Sequence, residues 1–434
     1  MDKMADVLGR AGAWCGQNKY LSAIKNAFQN FMPLTIAGAI GVLWCNVLVN
    51  DQTGLGLFFK PIMALDFLNP AFQAVNFCTI SCITVGITLG IAQEIGVWNM
   101  GAERAGYIPG LVGLAAWLSV TNTSHMVEGA KEAFTGIAGN ELGATGLFTG
   151  MIIGVLSVEL FCFFEKQDAL KIKMPEQVPP GVARAFEVLV PATITLIITA
   201  CIGSACYNLT GLYLNDVIKN GIQGPLGAVG ATIPGVMIIY LVIMLFWLVG
   251  IHGNNMLSAV KEALFTPLAL ENVEAFNKGE TPKNIINMYA LQMWGEFGGS
   301  GVTIGLVIAI MIFGKREDNK AIASLSLVPG LFNINETVTF GIPMVLNPIL
   351  GIPFVFACLV TILVGYVLTV IGFCPVACLT VPWTTPPIVF GFLACGANVM
   401  GAVTQAILIV VSTVIYVPFL ISYEKYQNKQ AAEA

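Results

Sequence analysis

Residues 328–348 read VPGLFNINETVTFGIPMVLNP and set one carboxylate, Glu336, among Asn333, Asn335, Thr337 and Thr339 in an otherwise apolar run. At the centre of a lipid-facing helix an ionised glutamate costs roughly 2 to 4 kcal/mol or more, so such a residue usually turns toward a cavity or a polar ligand. Pro329, Gly330, Gly341, Pro343 and Pro348 interrupt the run and argue against one smooth spanning helix. Broken backbone at membrane depth survives only where protein buries it or where it lines a wet cavity. The segment therefore reads as a polar ligand site inside a membrane protein.

Composition supports that class. Hydrophobic residues make up 56% of the chain and charged ones 10%, with a mean hydropathy of +0.80. A typical soluble domain is about half apolar and a quarter charged. Stretches long enough to span, at about 20 residues each, occur at 28–49, 72–97, 106–121, 144–164, 185–207, 226–251, 297–314, 352–373, 385–400 and 402–422. The expected fold is an all-α polytopic membrane protein with about ten crossings. Its 46 glycines favour close helix packing through small residues.

The net charge of −5 says less than where the charges fall. Lys3, Arg10, Lys19 and Lys25 precede the first span, and Lys166, Lys171, Lys173 and Arg184 follow the fourth. The positive-inside tendency puts both groups, and the N-terminus, in the cytoplasm. Lys60, Arg104 and Lys131 are scattered singly through the loops between. In the second half, Lys261, Lys278 and Lys283, then Lys315, Arg316 and Lys320, then Lys425 and Lys429 also read as cytoplasmic, which an odd number of simple spans contradicts. Two re-entrant hairpins, near 255–270 and 325–348, resolve the conflict.

The chain divides near residue 220. Residues 1–220 carry ordinary spans with polar connectors, and 207–224 is too polar to cross and reads as an interfacial connector. Residues 221–434 hold nearly all the unusual polar groups. Of the eleven cysteines, most lie in or beside apolar spans as small hydrophobes. Cys374 and Cys378 form a CxxxC pair with no neighbouring histidine, so neither a metal nor a cofactor is expected. No Walker pattern, GxSxG elbow or cleavable signal occurs.

Four constellations stand out in the second half. Trp247 to Asn255 (WLVGIHGNN) ends an apolar span on His252, Asn254 and Asn255. A neutral imidazole donates through one nitrogen and accepts through the other, which suits a hydroxyl. Gly298, Gly299, Ser300 and Gly301 follow Trp294 and Glu296; such a cluster permits close backbone approach to a ligand, or equally tight helix packing. Within 331–340 the polar residues alternate, so an extended chain sets Glu336 opposite Asn333, Asn335, Thr337 and Thr339, whereas a helix mixes them. Trp383 sits in the proline-flanked turn VPWTTPP (381–387), either as an interfacial anchor or as a stacking platform. Glu94 and Glu159 near span ends read as solvated or paired, His125 as a surface residue, and Glu296 as within reach of the site.

Taken in order, Ile251 to Asn254 (IHGN), Gly298 to Gly301 (GGSG), Phe332 to Glu336 (FNINE) with FGIP and LNP after it, and Trp383 to Pro387 (WTTPP) resemble the IIC membrane component of the lactose/cellobiose family in the phosphoenolpyruvate-dependent sugar phosphotransferase system. The resemblance extends more loosely through Asn18 to Lys25, Phe31 to Leu34 and 146–159. It implies a homodimer in the bacterial inner membrane, with a first-half scaffold domain and a second-half sugar-binding transport domain. It further implies uptake of a β-linked disaccharide such as cellobiose, lactose or diacetylchitobiose, phosphorylated in passage by a phosphocysteine on a separate IIB protein, with IIA upstream. The family's catalytic pair falls on Glu336 and His252. Its site aromatics fall on Trp247 and Trp383, and Asn254, Gly298, Gly299, Ser300 and Asn333 match motif positions. Thr337 stands where the family pattern has proline after the motif glutamate, a departure that bears on substrate choice or hairpin geometry.

On this reading the chain is the membrane subunit of a multi-component enzyme, with a sugar, phosphorylated IIB and the bilayer as partners and no nucleic acid. Phosphoryl transfer has a loose transition state, so positioning matters more than full deprotonation of the attacking hydroxyl. Glu336 then aims the primary hydroxyl and His252 holds a neighbour. The competing reading is an ion-coupled secondary transporter with Glu336 and His252 as a proton relay.

Overall fold

The computed structural model describes residues 10, 14, 17–51, 55–57, 59–125, 133–175, 177–225, 230–342 and 344–433. Lys3, Lys131 and Pro343, used above for topology and motif, lie outside these residues. Two compact units divide the chain. Gln17–Gly38 with Gln73–Ala228 form one, and Met1–Gly16, Ala39–Phe72 and Val229–Ala434 form the other. The architecture is helical, apart from a two-residue antiparallel pairing of Ser124–His125 with Phe134–Thr135.

The first unit is built on apolar helices: α1 (Lys19–Leu43, entering from it), α2 (Asn69–Asn76, ending in it), α3 (Ile83–Met100), α4 (Ile108–Val120), α5 (Ala144–Glu165) and α6 (Pro180–Thr210). Between α2 and α3 the chain bends by 42°, so the expected span 72–97 is not straight. Small residues set the packing distance: a Cβ on Gly150 would strike Thr88, and one on Gly113 would strike Ala92. Van der Waals packing of this kind substitutes in lipid for the missing hydrophobic drive. Buried Thr84 donates to the Gly143 carbonyl at 2.7 Å, which caps the turn ahead of α5. Glu94 accepts from Asn26 (2.9 Å) and Glu159 pairs with Lys19 (2.6 Å), as expected of paired carboxylates. His125 is half-buried, its ring 5.6 Å from that of exposed Phe134.

The second unit contains α7 (Ile233–Leu248), α8 (Ser258–Asn277), α9 (Met288–Gly295), α10 (Ile304–Phe313), α11 (Glu317–Leu331), α12 (Glu336–Gly341), α13 (Gly351–Val370), α14 (Val389–Ala394) and α15 (Val399–Glu433). Among the described residues five helices are long and apolar enough to cross a membrane, or seven if each bent pair counts as one span. One sequence expectation changes and a second is sharpened. The stretch 385–400 forms no crossing helix: Pro386 and Pro387 lead into Ile388 at φ +77°, and within it only α14 and the first two residues of α15 are helical. The break expected within 255–270 falls at its start, at Leu257 between the short helix Gly253–Met256 and Ser258–Asn277, which then runs as one helix through Pro267.

Helix breaks in this unit are where polar side chains gather. One lies between α9 and α10, which meet at 59°. Another separates α11 from α12, so Glu336 opens a helix and the extended alternative for 331–340 does not hold.

Candidate functional site

Two of the site loops end a helix by the same device. After α7, Gly250 takes a left-handed φ of +81°, its N–H bonds the Trp247 carbonyl (3.0 Å), and Ile251 N–H bonds the Phe246 carbonyl (3.0 Å). After α11, Asn333 takes φ +63°, its N–H bonds the Gly330 carbonyl (3.1 Å), and Ile334 N–H bonds the Pro329 carbonyl (3.0 Å). Both are Schellman caps, for which glycine is the usual left-handed residue and asparagine the common substitute. Each cap turns the chain sharply and so presents a polar side chain just beyond it: His252 after the first, Glu336 after the second.

His252 lies against Trp247, with ring centroids 4.4 Å apart. Asn255 N–H donates to His252 Nδ1 at 3.3 Å. That bond occupies the Nδ1 lone pair, so the neutral ring carries its proton on Nε2. Nε2 stands 3.9 Å from Glu336 Oε1, with the two side chains 39% and 48% exposed. At that separation the pair is too far apart for a direct hydrogen bond. One hydroxyl oxygen at about 2.8 Å from each fits between them, accepting from Nε2 and donating to Oε1.

The turn at 298–301 forms the floor. Gly298, Gly299 and Gly301 have φ of +69°, +86° and +75°, which side-chain-bearing residues rarely adopt. Asparagines clasp it: Asn333 Oδ1 accepts from Gly298 N–H (2.6 Å), Asn335 Nδ2 donates to the Ser300 carbonyl (2.9 Å) and Asn254 Nδ2 to Ser300 Oγ (3.1 Å). From α15, the Tyr416 hydroxyl donates to the Gly301 carbonyl at 2.7 Å. Asn333 Nδ2 also reaches the carbonyls of Trp383 and of Thr385, the latter at 3.2 Å. That joins the proline-flanked loop to the residue three positions before Glu336.

The residues singled out in the sequence separate into two sets. Glu336, His252 and Trp383 (45% exposed) are open to a ligand. Trp247 and Ser300, each 3% exposed, together with Gly298 and Gly299, are buried and frame the site; Asn254 is half-buried, with its Oδ1 enclosed and unpartnered. Glu296 is spoken for: it is bonded by buried Lys261 and accepts from the Tyr240 hydroxyl at 2.7 Å. Lys261, Tyr240 and Tyr416 carried no site signal in the sequence, whereas Asn335 did, as part of the FNINE motif around Glu336. Among the described residues no cluster of histidine, cysteine and carboxylate side chains could hold a metal ion.

The fold and these helix breaks define the class, a polytopic helical membrane protein with its polar groups gathered where helices end. The chain belongs to the phosphotransferase system EIIC family, whose model matches residues 25–358. It is 33% identical over 429 residues to the oligo-beta-mannoside-specific EIIC component of Bacillus subtilis (strain 168), covering 98% of this chain and 94% of that protein. It is 32% identical over 420 residues to the lactose-specific EIICB component of Staphylococcus aureus (strain COL), covering 94% of this chain and 69% of that one. Among solved structures it is similar to the transporter ChbC, the IIC component from the N,N′-diacetylchitobiose-specific phosphotransferase system. The TM-score there is 0.88, with 29% identity and 97% of each chain covered.

Proposed function

We propose that this chain carries a β-linked disaccharide inward across the bacterial inner membrane and presents its primary hydroxyl to the phosphocysteine of a separate IIB protein. The observation that carries this reading is the 3.9 Å space between His252 Nε2 and Glu336 Oε1. A sugar hydroxyl bridging it donates to the carboxylate, which aligns an oxygen lone pair for in-line attack on phosphorus. Phosphoryl transfer draws most of its acceleration from such positioning. Trp383 supplies an accessible face for a sugar ring, and Trp247 backs the imidazole. Gly298, Gly299 and Ser300 frame the ligand from beneath, with Asn254 donating to Ser300 Oγ.

Relatives named for oligo-beta-mannosides, lactose and diacetylchitobiose support a β-linked disaccharide as the substrate class. The EIICB name of the staphylococcal relative supports a IIB protein as partner. On the same reading residues 221–434 move the sugar, residues 1–220 are the scaffold of a homodimer, the N-terminus is cytoplasmic, and two re-entrant hairpins accompany about ten crossings. Membership of the phosphotransferase family disfavours the ion-coupled alternative.

The test uses membrane vesicles charged with phosphorylated IIB and a disaccharide panel. Sugar-dependent loss of phosphate from IIB and appearance of sugar phosphate are expected, and both stop in Glu336→Gln. Accumulation of unmodified sugar driven by an ion gradient alone would overturn the reading.

A further inference from the structure

We propose that Asn333 is a positioning residue that locks three segments of the site together, and that its side chain is not a sugar ligand. Its amide has two N–H donors and one carbonyl oxygen. Both donors are committed, to the carbonyls of Trp383 and Thr385, and the oxygen accepts from Gly298 N–H at 2.6 Å. The amide orientation is fixed by these partners, since two carbonyls need donors and one N–H needs an acceptor. A ligand hydroxyl finds no donor left on this residue, only the second lone pair of Oδ1.

The three bonds join separate parts of the site. Gly298 belongs to the glycine turn, Trp383 and Thr385 belong to the loop that carries the exposed indole, and Asn333 itself caps α11 immediately before Glu336. The Trp383 loop has a second anchor, because Gln405 Oε1 accepts from Ile388 N–H (2.7 Å) and Gly391 N–H (2.8 Å). It has no helix of its own between Thr380 and Ile388. Asn333 is thus the link that holds the indole in register with the carboxylate. The left-handed backbone at Asn333 (φ +63°) explains why asparagine stands here: it is the side-chain-bearing residue best suited to the cap, and it adds an amide that glycine lacks.

The same cap provides a clean experiment. Asn333→Gly keeps the preferred backbone and deletes only the three side-chain bonds. Asn333→Asp keeps an acceptor for Gly298 and turns a carboxylate toward two carbonyls. The first readout is hydrogen exchange of the sugar-free protein. The Thr385 and Ile388 amides, hydrogen-bonded to the Pro382 carbonyl and to Gln405 Oε1 in the parent protein, should exchange at least about tenfold faster in Asn333→Gly, with melting and gel-filtration profiles confirming a folded chain. Unchanged exchange there overturns the proposal, and this arm stands whatever the substrate is.

The second readout rests on the sugar-transport reading. Sugar affinity should fall by a similar factor, about tenfold or more, for every disaccharide and for analogues lacking single hydroxyls. Asn333→Asp should be worse than Asn333→Gly. A loss confined to sugars bearing one particular hydroxyl, or retention of affinity by Asn333→Asp over Asn333→Gly, would instead identify Asn333 as a direct ligand. If exchange rises as expected but no disaccharide binds the parent protein, the transport reading fails and the positioning role survives.

Discussion

Glu165 and Glu336 are both carboxylates set among apolar helices, and the protein treats them in opposite ways. Glu165 is 3% exposed and its Oε1 is bonded by Arg104 at 2.8 Å and Arg184 at 3.0 Å. Those arginines also reach Glu187, closing a network that braces α5 and α6 beside the 102–105 turn. Glu336 is half-exposed, and among the described residues its one ion-pair partner is His252 at 3.9 Å. Glu296 belongs with Glu165, its Oε1 held by both Lys261 and Tyr240 although it stands next to the glycine turn. A carboxylate at apolar depth is therefore no site by itself; spare acceptor capacity on an accessible surface is what marks one.

The largest test of this contrast is Glu336→Gln. It preserves shape and removes the charge, so phosphorylation of sugar should fall about 10²- to 10⁴-fold. Its melting temperature should stay that of the parent, since surface-accessible substitutions usually lie within about 0.5 kcal/mol. A large drop in melting temperature would place Glu336 with the bracing carboxylates.

Glu296→Leu should do the reverse. It leaves Lys261, 7% exposed in its side chain, as an unpaired buried cation. Breaking a buried pair this way costs about 3 to 5 kcal/mol. Adding Lys261→Met should recover much of that loss, because a buried pair replaced by apolar groups is often neutral. Thermal unfolding in detergent measures both. If the double variant remains as unstable as the single one, the Tyr240 hydroxyl, left without its acceptor, carries more of the cost than the charge.

A third, smaller effect concerns Gln405→Leu. Two backbone N–H groups, Ile388 and Gly391, lose their acceptor beneath the Trp383 loop. Leaving buried donors unsatisfied costs about 1 to 3 kcal/mol. Gln405, 1% exposed, also donates to the Met293 carbonyl at 3.3 Å, so a melting assay should show at least this loss in Gln405→Leu.

Much of the site was legible because it breaks the rules of its surroundings. Glu336, His252, the glycine turn and Trp383 are polar, flexible or rigid residues where a membrane span calls for plain apolar helix. Asn333 was legible as a site position but not as an interlock, since its partners at 298, 383 and 385 come near only through the fold. Lys261 read as a loop cation because a sequence window sees the charge and not the Glu296 that buries with it. Tyr416 bonds Gly301 across more than a hundred residues, beyond any local pattern. The false crossing at 385–400 arose because hydropathy counts Ile388, Val389 and Phe390 and ignores the left-handed turn that the paired prolines introduce. Within the 255–270 segment, Pro267 does not interrupt the helix that runs from Ser258 to Asn277, since a proline is tolerated where neighbours re-satisfy the freed backbone.

The smallest expected effect sits at the other extreme of the comparison. Lys19 and Glu159 approach to 2.6 Å, with side chains 25% and 31% exposed, and Lys19 also reaches Asn99 Oδ1 at 3.3 Å. By distance alone the pair rivals those of Glu165. By exposure it does not, because solvent screens a partly open pair and two long side chains lose entropy in holding one geometry. Lys19→Met should therefore cost about 0 to 1 kcal/mol. The difference from the parent should shrink further at 1 M salt, where the screening length is about 3 Å. A loss several times larger that persists in high salt would show that Lys19 and Glu159 are shielded as Glu165 is, and that exposure is the wrong criterion for separating bracing carboxylates from available ones.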